Sequence, residues 1–139
     1  MTYSEEKRDL FTVSKEYHLA HCIASDLGMG AGIAVQFQKR FNIRGKIVSS
    51  GEPLKHPTCI LTGRIFNLIT KSKSSGKPTY VSLVASLLKM QRIADESGIH
   101  KIAVPRIGCG LDKLSWPIVR EHVKSLFDSN DIEILVCYI

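Results

Sequence analysis

Short apolar segments with two different periodicities alternate along the chain, and this alternation restricts the possible folds more than any other feature of the sequence. Short runs rich in Ile, Val, Leu or Phe, each bounded by Gly, Pro, Ser or Asp, predict β-strands. Longer segments in which apolar residues recur every three or four positions predict helices. The predicted strands are residues 10–13, 19–24, 59–61, 65–70, 101–104 and 132–138, and the predicted helices are residues 31–41, 79–97 and 116–127.

Strands that alternate with helices predict a layered α/β fold, with helices on both faces of a central sheet. The helix boundaries have signals of their own, because Pro78 suits a first turn, Gly98 suits a helix end and Ser115 suits an N-cap. A chain of 139 residues has the usual length of one domain. We therefore expect a single domain that spans residues 1–139.

The composition and the cysteine spacing argue against several classes of protein. Hydrophobic residues make up 44% and charged residues 23% of the chain, which is close to the globular average and unlike a disordered or fibrous protein. The polar stretch from Met1 to Asp9 does not resemble a secretory signal, and no uncharged apolar run approaches the roughly 20 residues that span a bilayer. The four cysteines form no C-x-x-C pair. We expect reduced thiols, no membrane contact, and an intracellular location in the nucleus, the cytoplasm or both.

Three segments follow predicted strands, and the carboxyl ends of strands are where α/β sheets bind ligands. We call them the first glycine loop (residues 28–34), the lysine loop (71–77) and the second glycine loop (105–114). Closely spaced glycines let backbone N–H groups approach a ligand, and the N-terminus of a following helix favours phosphate. The first glycine loop is not the dinucleotide fingerprint, since Ile33 and Val35 stand where a further glycine is required. Together the two glycine loops indicate a clamp for a phosphate-bearing ligand such as a diphosphate.

Two residues in these loops have a chemical character. Lys71 ends an apolar run, so its amine could project into a partly desolvated cleft and act as a nucleophile. Asp112 follows the Gly-Cys-Gly turn, where a carboxylate could act as a general acid or base. From the residues alone, a solvated loop lysine and an aspartate that caps a helix remain open alternatives.

Other reactive residue types have structural interpretations. His18, His21 and Cys22 lack the second pair of ligands that a zinc site needs, so we predict no metal site and expect His21 to be a hydrogen-bonded core residue. Cys109 lies between two glycines without a basic neighbour in the sequence, and we expect it to be structural.

Six stretches, in order along nearly the whole chain, resemble the macrodomain family, and more closely its branch of terminal ADP-ribose protein glycohydrolases (O-acetyl-ADP-ribose deacylases). Met29-Gly-Ala-Gly-Ile-Ala-Val35 and Pro105-Arg-Ile-Gly-Cys-Gly-Leu-Asp112 are quite specific to this branch. The resemblance implies a single macrodomain, with a mixed central β-sheet sandwiched between α-helices and an ADP-ribose cleft at the strand ends. The supporting stretches are Asp9-Leu-Phe11, Leu19-Ala-His-Cys-Ile23, Leu68-Ile-Thr-Lys71 and Lys77-Pro-Thr-Tyr80.

The resemblance implies a role for each residue of this chain that matches a functional position of the family. Asp9 would meet the adenine, Leu10 would line its pocket, and Ile139 would lie near the same end of the cleft. Lys71, rather than another lysine of its loop, would be the catalytic nucleophile, with Asp112 as its acid/base partner. The diphosphate and the distal ribose would be held by Gly30, Ala31, Gly32, Ile33 and Ala34 and by Arg106, Ile107, Gly108, Cys109, Gly110 and Leu111.

Two positions depart from the family. Arg8 stands where the family usually has a glycine before the adenine aspartate, which suggests an altered turn or a covered adenine. Ala24 occupies a ligand-contacting position at which relatives can carry serine, so a hydroxyl contact would be missing.

The resemblance implies an enzyme, without cofactor or metal, that removes ADP-ribose from modified glutamate or aspartate side chains and deacylates O-acyl-ADP-ribose. We expect it to be a monomer. Its expected partners are ADP-ribose and ADP-ribosylated proteins, and a non-catalytic ADP-ribose reader is the alternative. The net charge of +6 suits poly(ADP-ribose) or another polyanion. Sequence-specific nucleic-acid binding is not expected, because little aromatic content beyond Phe41 accompanies the basic cluster. That cluster consists of Lys39, Arg40, Arg44 and Lys46.

Overall fold

One six-stranded sheet and four helices make up the computed structural model, which describes all 139 residues. The strands are β1 (Thr2–Lys7), β2 (His18–Ala24), β3 (Thr58–Thr62), β4 (Ile65–Lys71), β5 (Lys101–Val104) and β6 (Glu133–Tyr138). The helices are α1 (Ile33–Phe41), α2 (Ile43–Ser50), α3 (Tyr80–Ser97) and α4 (Trp116–Phe127), and a 3-10 turn covers Leu10–Thr12. None of the helices is long and apolar enough to cross a membrane.

The sheet is mixed, as the resemblance implies. Its strand order is β1-β6-β5-β2-β4-β3, and every neighbouring pair is parallel except β3 with β4. Five strands therefore end at the same edge of the sheet. The first glycine loop follows β2, the lysine loop follows β4, and the second glycine loop follows β5, so all three leave from that edge.

Helices cover both faces of the sheet, which confirms the layered α/β fold. Successive side chains of β4 point to opposite faces, so Phe66 and Leu68 join one core while Ile65 and Ile69 join the other. The first core contains the apolar stripes of α3 and α4, and the second contains those of α1 and α2. The helix residues in these cores include Leu83, Leu87, Met90, Val119 and Val123 on one face, and Phe37, Ile43 and Ile47 on the other.

Several predicted elements differ from the structure. Residues 10–13 do not form a strand, because the Asp9 carboxylate accepts a hydrogen bond from the Phe11 N–H at 2.9 Å and caps the 3-10 turn. Strand β1 is not among the predicted strands, because its residues are exposed or half-buried along the sheet edge and form no apolar run. Helix α2 is not among the predicted helices, because its apolar pattern is weak; it ends at Gly51, which is in the left-handed conformation. Helix α1 begins at Ile33 instead of residue 31.

His21 is the hydrogen-bonded core histidine that the sequence analysis expects. Its ring is fully buried and stacks on the Phe37 ring, with 3.9 Å between centroids. Its Nε2 lies 2.6 Å from Oδ1 of Asn67, whose Nδ2 donates to the Ile60 carbonyl and the Thr62 hydroxyl, both at 2.9 Å. Burial lowers the pKa of His21 to about 4, since a charged imidazole would lose its hydration there.

The depressed pKa of His21 predicts a protein that loses stability in mild acid. In the unfolded chain the ring takes up a proton near its ordinary pKa of about 6.5, whereas the folded chain resists protonation down to about pH 4. The contribution of neutral His21 is therefore complete above about pH 6.5 and is lost, by up to about 3 kcal/mol, as the pH falls toward 4. Urea unfolding measured across this pH range tests the expectation.

Two variants show whether His21 causes the loss. His21→Gln keeps an amide donor for Asn67 and should make the pH profile of the free energy of unfolding shallower, with a remaining slope from His18, whose pKa burial also lowers. His56→Gln, at an exposed position, should leave the profile as in the wild type. Equal slopes in the wild type and in His21→Gln would show that another group titrates.

Candidate active site

The three loops line one cavity of about 850 Å³ at the carboxyl edge of the sheet, a volume within the usual range of ligand pockets. Asp9, Leu10 and Ile139 do not line it; they follow β1 and β6, at the far end of the same edge. Cys109 lies in the second glycine loop without lining the cavity. The predicted residues that line it are Ala24, Gly30, Gly32, Ile33, Ala34, Lys71, Arg106, Ile107, Gly108, Gly110, Leu111 and Asp112.

Lys71 and Asp112 meet inside this cavity. The Lys71 Nζ lies 2.7 Å from Oδ1 of Asp112, and each side chain is only 14% exposed. The same amine donates to the backbone carbonyls of Ser74, at 3.2 Å, and Gly76, at 3.1 Å. Three acceptors match the three N–H groups of an ammonium, so the pair rests as a hydrogen-bonded ion pair. Neither the solvated lysine nor the helix-capping aspartate describes this arrangement.

Two further residues, neither of them predicted to act in this way, hold the lysine loop in place. The Asp26 carboxylate accepts hydrogen bonds from the backbone N–H groups of Gly28 and Ser74, both at 2.9 Å, and these bonds lower the pKa of Asp26. The Lys77 amine donates to the Leu111 carbonyl at 2.5 Å. An aspartate two residues before a glycine is a turn signal that could have drawn attention to Asp26. Its partner in another loop could not be read from the sequence.

Gly108 and Gly110, in the second glycine loop, are required for different reasons. Gly108 has φ +73°, and a Cβ there would lie 3.0 Å from Cδ1 of Leu114, so the backbone path itself requires glycine. A Cβ on Gly110 would meet no atom within 4 Å, although Gly110 lines the cavity. The absence of a side chain at Gly110 therefore matters for what enters the cavity, while Gly108 matters for the fold.

Of two arginines near the β1/β6 end of the sheet, Arg106 connects that end to the cavity and Arg8 does not. The Arg106 guanidinium lies 4.2 Å from the centre of the Tyr138 ring and 3.9 Å from Oε1 of Glu5. Arg8 donates hydrogen bonds to Thr12 and Glu6, so its side chain folds onto the 3-10 turn and does not line the cavity.

The thiols near the site have the properties of structural cysteines. Cys109 donates to the Ile107 carbonyl at 3.2 Å, and burial raises its pKa to about 11. Cys22 lines the cavity, and burial first, then the nearby Asp112 carboxylate, raises its pKa well above the ordinary value. Both thiols are therefore protonated at neutral pH and are poor nucleophiles. Nowhere in the chain do three His, Cys, Asp or Glu side chains gather as a metal-ligand set.

Solved structures share this fold. The macrodomain of Mycobacterium tuberculosis DarG matches with a TM-score of 0.85 and 24% sequence identity, over 99% of this chain and 98% of that one. Thermosipho africanus DarTG in complex with ADP-ribose matches with a TM-score of 0.83 and 18% identity, over 99% of this chain and 42% of that one. The six-stranded mixed sheet between two helical layers is thus a macrodomain fold.

Sequence similarity then places the chain among known proteins. No family model matches it. The human ADP-ribose glycohydrolase OARD1 is 41% identical over 132 residues, which cover 94% of this chain and 87% of the human protein. The chain belongs to the macrodomain family, in the branch that contains OARD1.

Because the space around Gly110 is free of protein atoms, a substitution there tests whether the cavity binds a ligand. Gly110→Val should leave the melting temperature near the wild-type value, because a Cβ at this position meets no protein atom within 4 Å. It should abolish ADP-ribose binding in calorimetry, since the side chain would occupy space that the ligand needs. Gly108→Val is the matched comparison and should lower the melting temperature, because its Cβ meets Leu114 and its φ is positive. A folded Gly110→Val protein with wild-type affinity would remove this loop from the binding site.

Proposed function

We propose that this protein hydrolyses the bond between ADP-ribose and a glutamate or aspartate side chain, with Lys71 as nucleophile and Asp112 as acid and base. The observation that carries the proposal is the 2.7 Å contact between Lys71 Nζ and Asp112 Oδ1 inside a cavity lined by two glycine loops. Two comparisons support it. The human relative is named an ADP-ribose glycohydrolase, and the Thermosipho africanus neighbour is described in complex with ADP-ribose.

The strand order supports one orientation of the ligand. Asp9, Leu10 and Ile139 belong to the β1/β6 end of the edge, and Lys71 belongs to β4, on the other side of β5 and β2. An ADP-ribose with its adenine at the first end would cross the glycine loops with its diphosphate. Its distal ribose would then reach Lys71. Binding the adenine and the diphosphate far from the reacting carbon supplies energy that positions the sugar.

In the first step, the Lys71 ammonium gives a proton to the Asp112 carboxylate. The neutral amine keeps two N–H groups for the Ser74 and Gly76 carbonyls, so it stays in place while its lone pair becomes available. The lone pair attacks the anomeric carbon of the distal ribose. The bond from that carbon to the ester oxygen breaks, and the glutamate or aspartate leaves as a carboxylate.

In the second step, water releases the sugar from Lys71. The covalent bond between Nζ and the anomeric carbon breaks as a water oxygen bonds to that carbon. Asp112 shuttles the protons, so that the amine and free ADP-ribose are both restored. The sum of the two steps is the addition of water to one ester bond. An O-acyl-ADP-ribose with its acyl group on the anomeric oxygen contains the same bond and is a second expected substrate.

Removal of either group of the pair should stop turnover in different ways. Lys71→Ala should bind ADP-ribose, form no covalent adduct and release no ADP-ribose from a glutamate-linked substrate. Asp112→Ala should lose at least about a hundredfold in rate, the usual contribution of general acid–base catalysis. Water would then take the Lys71 proton slowly in place of Asp112, and because release of the sugar also lacks its proton shuttle, protein heavier by one ADP-ribose unit should accumulate. Intact-mass spectrometry reads both outcomes, and peptide mapping should locate the added mass on Lys71.

Lys73→Ala is the matched control, because Lys73 belongs to the same loop and does not line the cavity. Lys77 is a poor control, since its amine holds the Leu111 carbonyl. If Lys71→Ala turns over like the wild type, the covalent mechanism is wrong. If the wild type binds ADP-ribose and releases none from the substrate, the protein is a reader of the modification instead of an enzyme.

A further inference from the structure

Arg44, in the first turn of α2, enters the cavity from the side of the first glycine loop. Its Nε donates to the Leu27 carbonyl at 2.7 Å, and its backbone N–H donates to Oε1 of Gln38 at 3.0 Å. The guanidinium is therefore fixed at its Nε, and Arg44 lines the cavity. The resemblance to the macrodomain family assigns it no role.

No group of the chain neutralises Arg44. No carboxylate lies within 4.0 Å of its guanidinium, and neither Nη atom has a hydrogen-bond partner. Of the other cations of the cavity, Lys71 has Asp112, and Arg106 has the Tyr138 ring and Glu5, which it shares with Arg120. Lys77, like Arg44, has a backbone carbonyl as its partner, but its amine ends on that Leu111 carbonyl, whereas both Nη atoms of Arg44 are left over. The nearby Asp26 carboxylate is occupied by Gly28 and Ser74. A guanidinium that is held in place, lines a cavity and lacks an anion indicates an anionic group on the ligand.

The position of Arg44 indicates which part of a substrate supplies that anion. Helix α2 packs on β3, which lies beyond β4 at the opposite end of the sheet from β1 and β6. Leu27, whose carbonyl accepts the Arg44 hydrogen bond, directly precedes the first glycine loop. Its neighbour Asp26 binds the backbone N–H of Ser74. The Ser74 carbonyl in turn accepts a hydrogen bond from the Lys71 amine. Arg44 therefore lies at the end where Lys71 would meet the distal ribose. The group attached to that ribose is the modified protein, not the adenine.

We propose that Arg44 binds an acidic side chain next to the modified residue and so selects proteins modified within acidic segments. This inference rests on the proposed function, because that function places the scissile bond at Lys71. Two Nη atoms in a planar fork suit the two oxygens of a carboxylate. A nucleic-acid strand is the less favoured partner, since no Phe, Tyr or Trp side chain lines the cavity and a base would have no ring to stack on.

The test compares two peptides that carry ADP-ribose on one glutamate position through an amide, which replaces the labile ester. One peptide has glutamates beside the modified position and the other has glutamines. The wild type should bind the acidic peptide about three- to tenfold more tightly in calorimetry, as expected for one partly exposed charged contact. Arg44→Gln should lose this preference, and Arg44→Lys should keep only part of it. Lys46→Gln, which removes the same charge from the same helix outside the cavity, should retain it.

Equal affinity of the wild type for both peptides would overturn the inference, and so would a preference that survives in Arg44→Gln. A third outcome would also overturn it. If an ADP-ribosylated oligonucleotide binds more tightly than the acidic peptide and loses this advantage in Arg44→Gln, Arg44 binds a phosphate and not a carboxylate. Turnover of the ester-linked peptides is measured in parallel. If the wild type releases no ADP-ribose, the proposed function fails, but the affinities still decide the role of Arg44.

Discussion

The parallel pairing of β2 with β4 and β5 is the constraint on which the whole site depends. Parallel strands end at one edge of a sheet, so the loops after these three strands must meet there. The pairing of β2 with β4 shifts register between Ile23 and Ala24, and Ala24 comes to lie opposite Lys71. Lys71 and Asp112 are 41 residues apart in the chain, and this topology is what brings the lysine and second glycine loops together.

Once the loops meet, polar contacts between them determine their positions. Asp26 holds Ser74 on one side of the lysine loop, while Lys71 and Lys77 hold the second glycine loop on the other. Exposed polar contacts contribute little to stability one at a time. Their effect here is geometric, because they fix the Lys71 amine before a ligand binds. A group that is already positioned would lose less entropy in the proposed reaction.

The sequence predicts those elements whose local pattern agrees with their packing. Strand β5 and helix α4 have the predicted bounds, and α3 begins one residue late because Thr79 is its N-cap. The edge strand β1 could not be predicted, since pairing with β6 and not an apolar pattern makes it a strand. The strand ends predicted that the three loops converge. The roles of Asp26 and Arg44 could not be predicted in this way, because the contact partners of both residues lie close to them only in the folded chain.

The positively charged side chains of the cavity differ in whether a carboxylate of the chain already balances them. In the proposed function, backbone N–H groups of the glycine loops would bind the diphosphate, and such groups need no side-chain charge to hold an anion. Arg106 is already partly balanced by Glu5, and Lys71 by Asp112. Lys77 and Arg44 have no carboxylate partner, and Arg44 lies at the end where the modified protein would depart. The site would therefore recognise ADP-ribose mainly through backbone N–H groups of the glycine loops. It would recognise the protein that carries the modification through the Arg44 side chain.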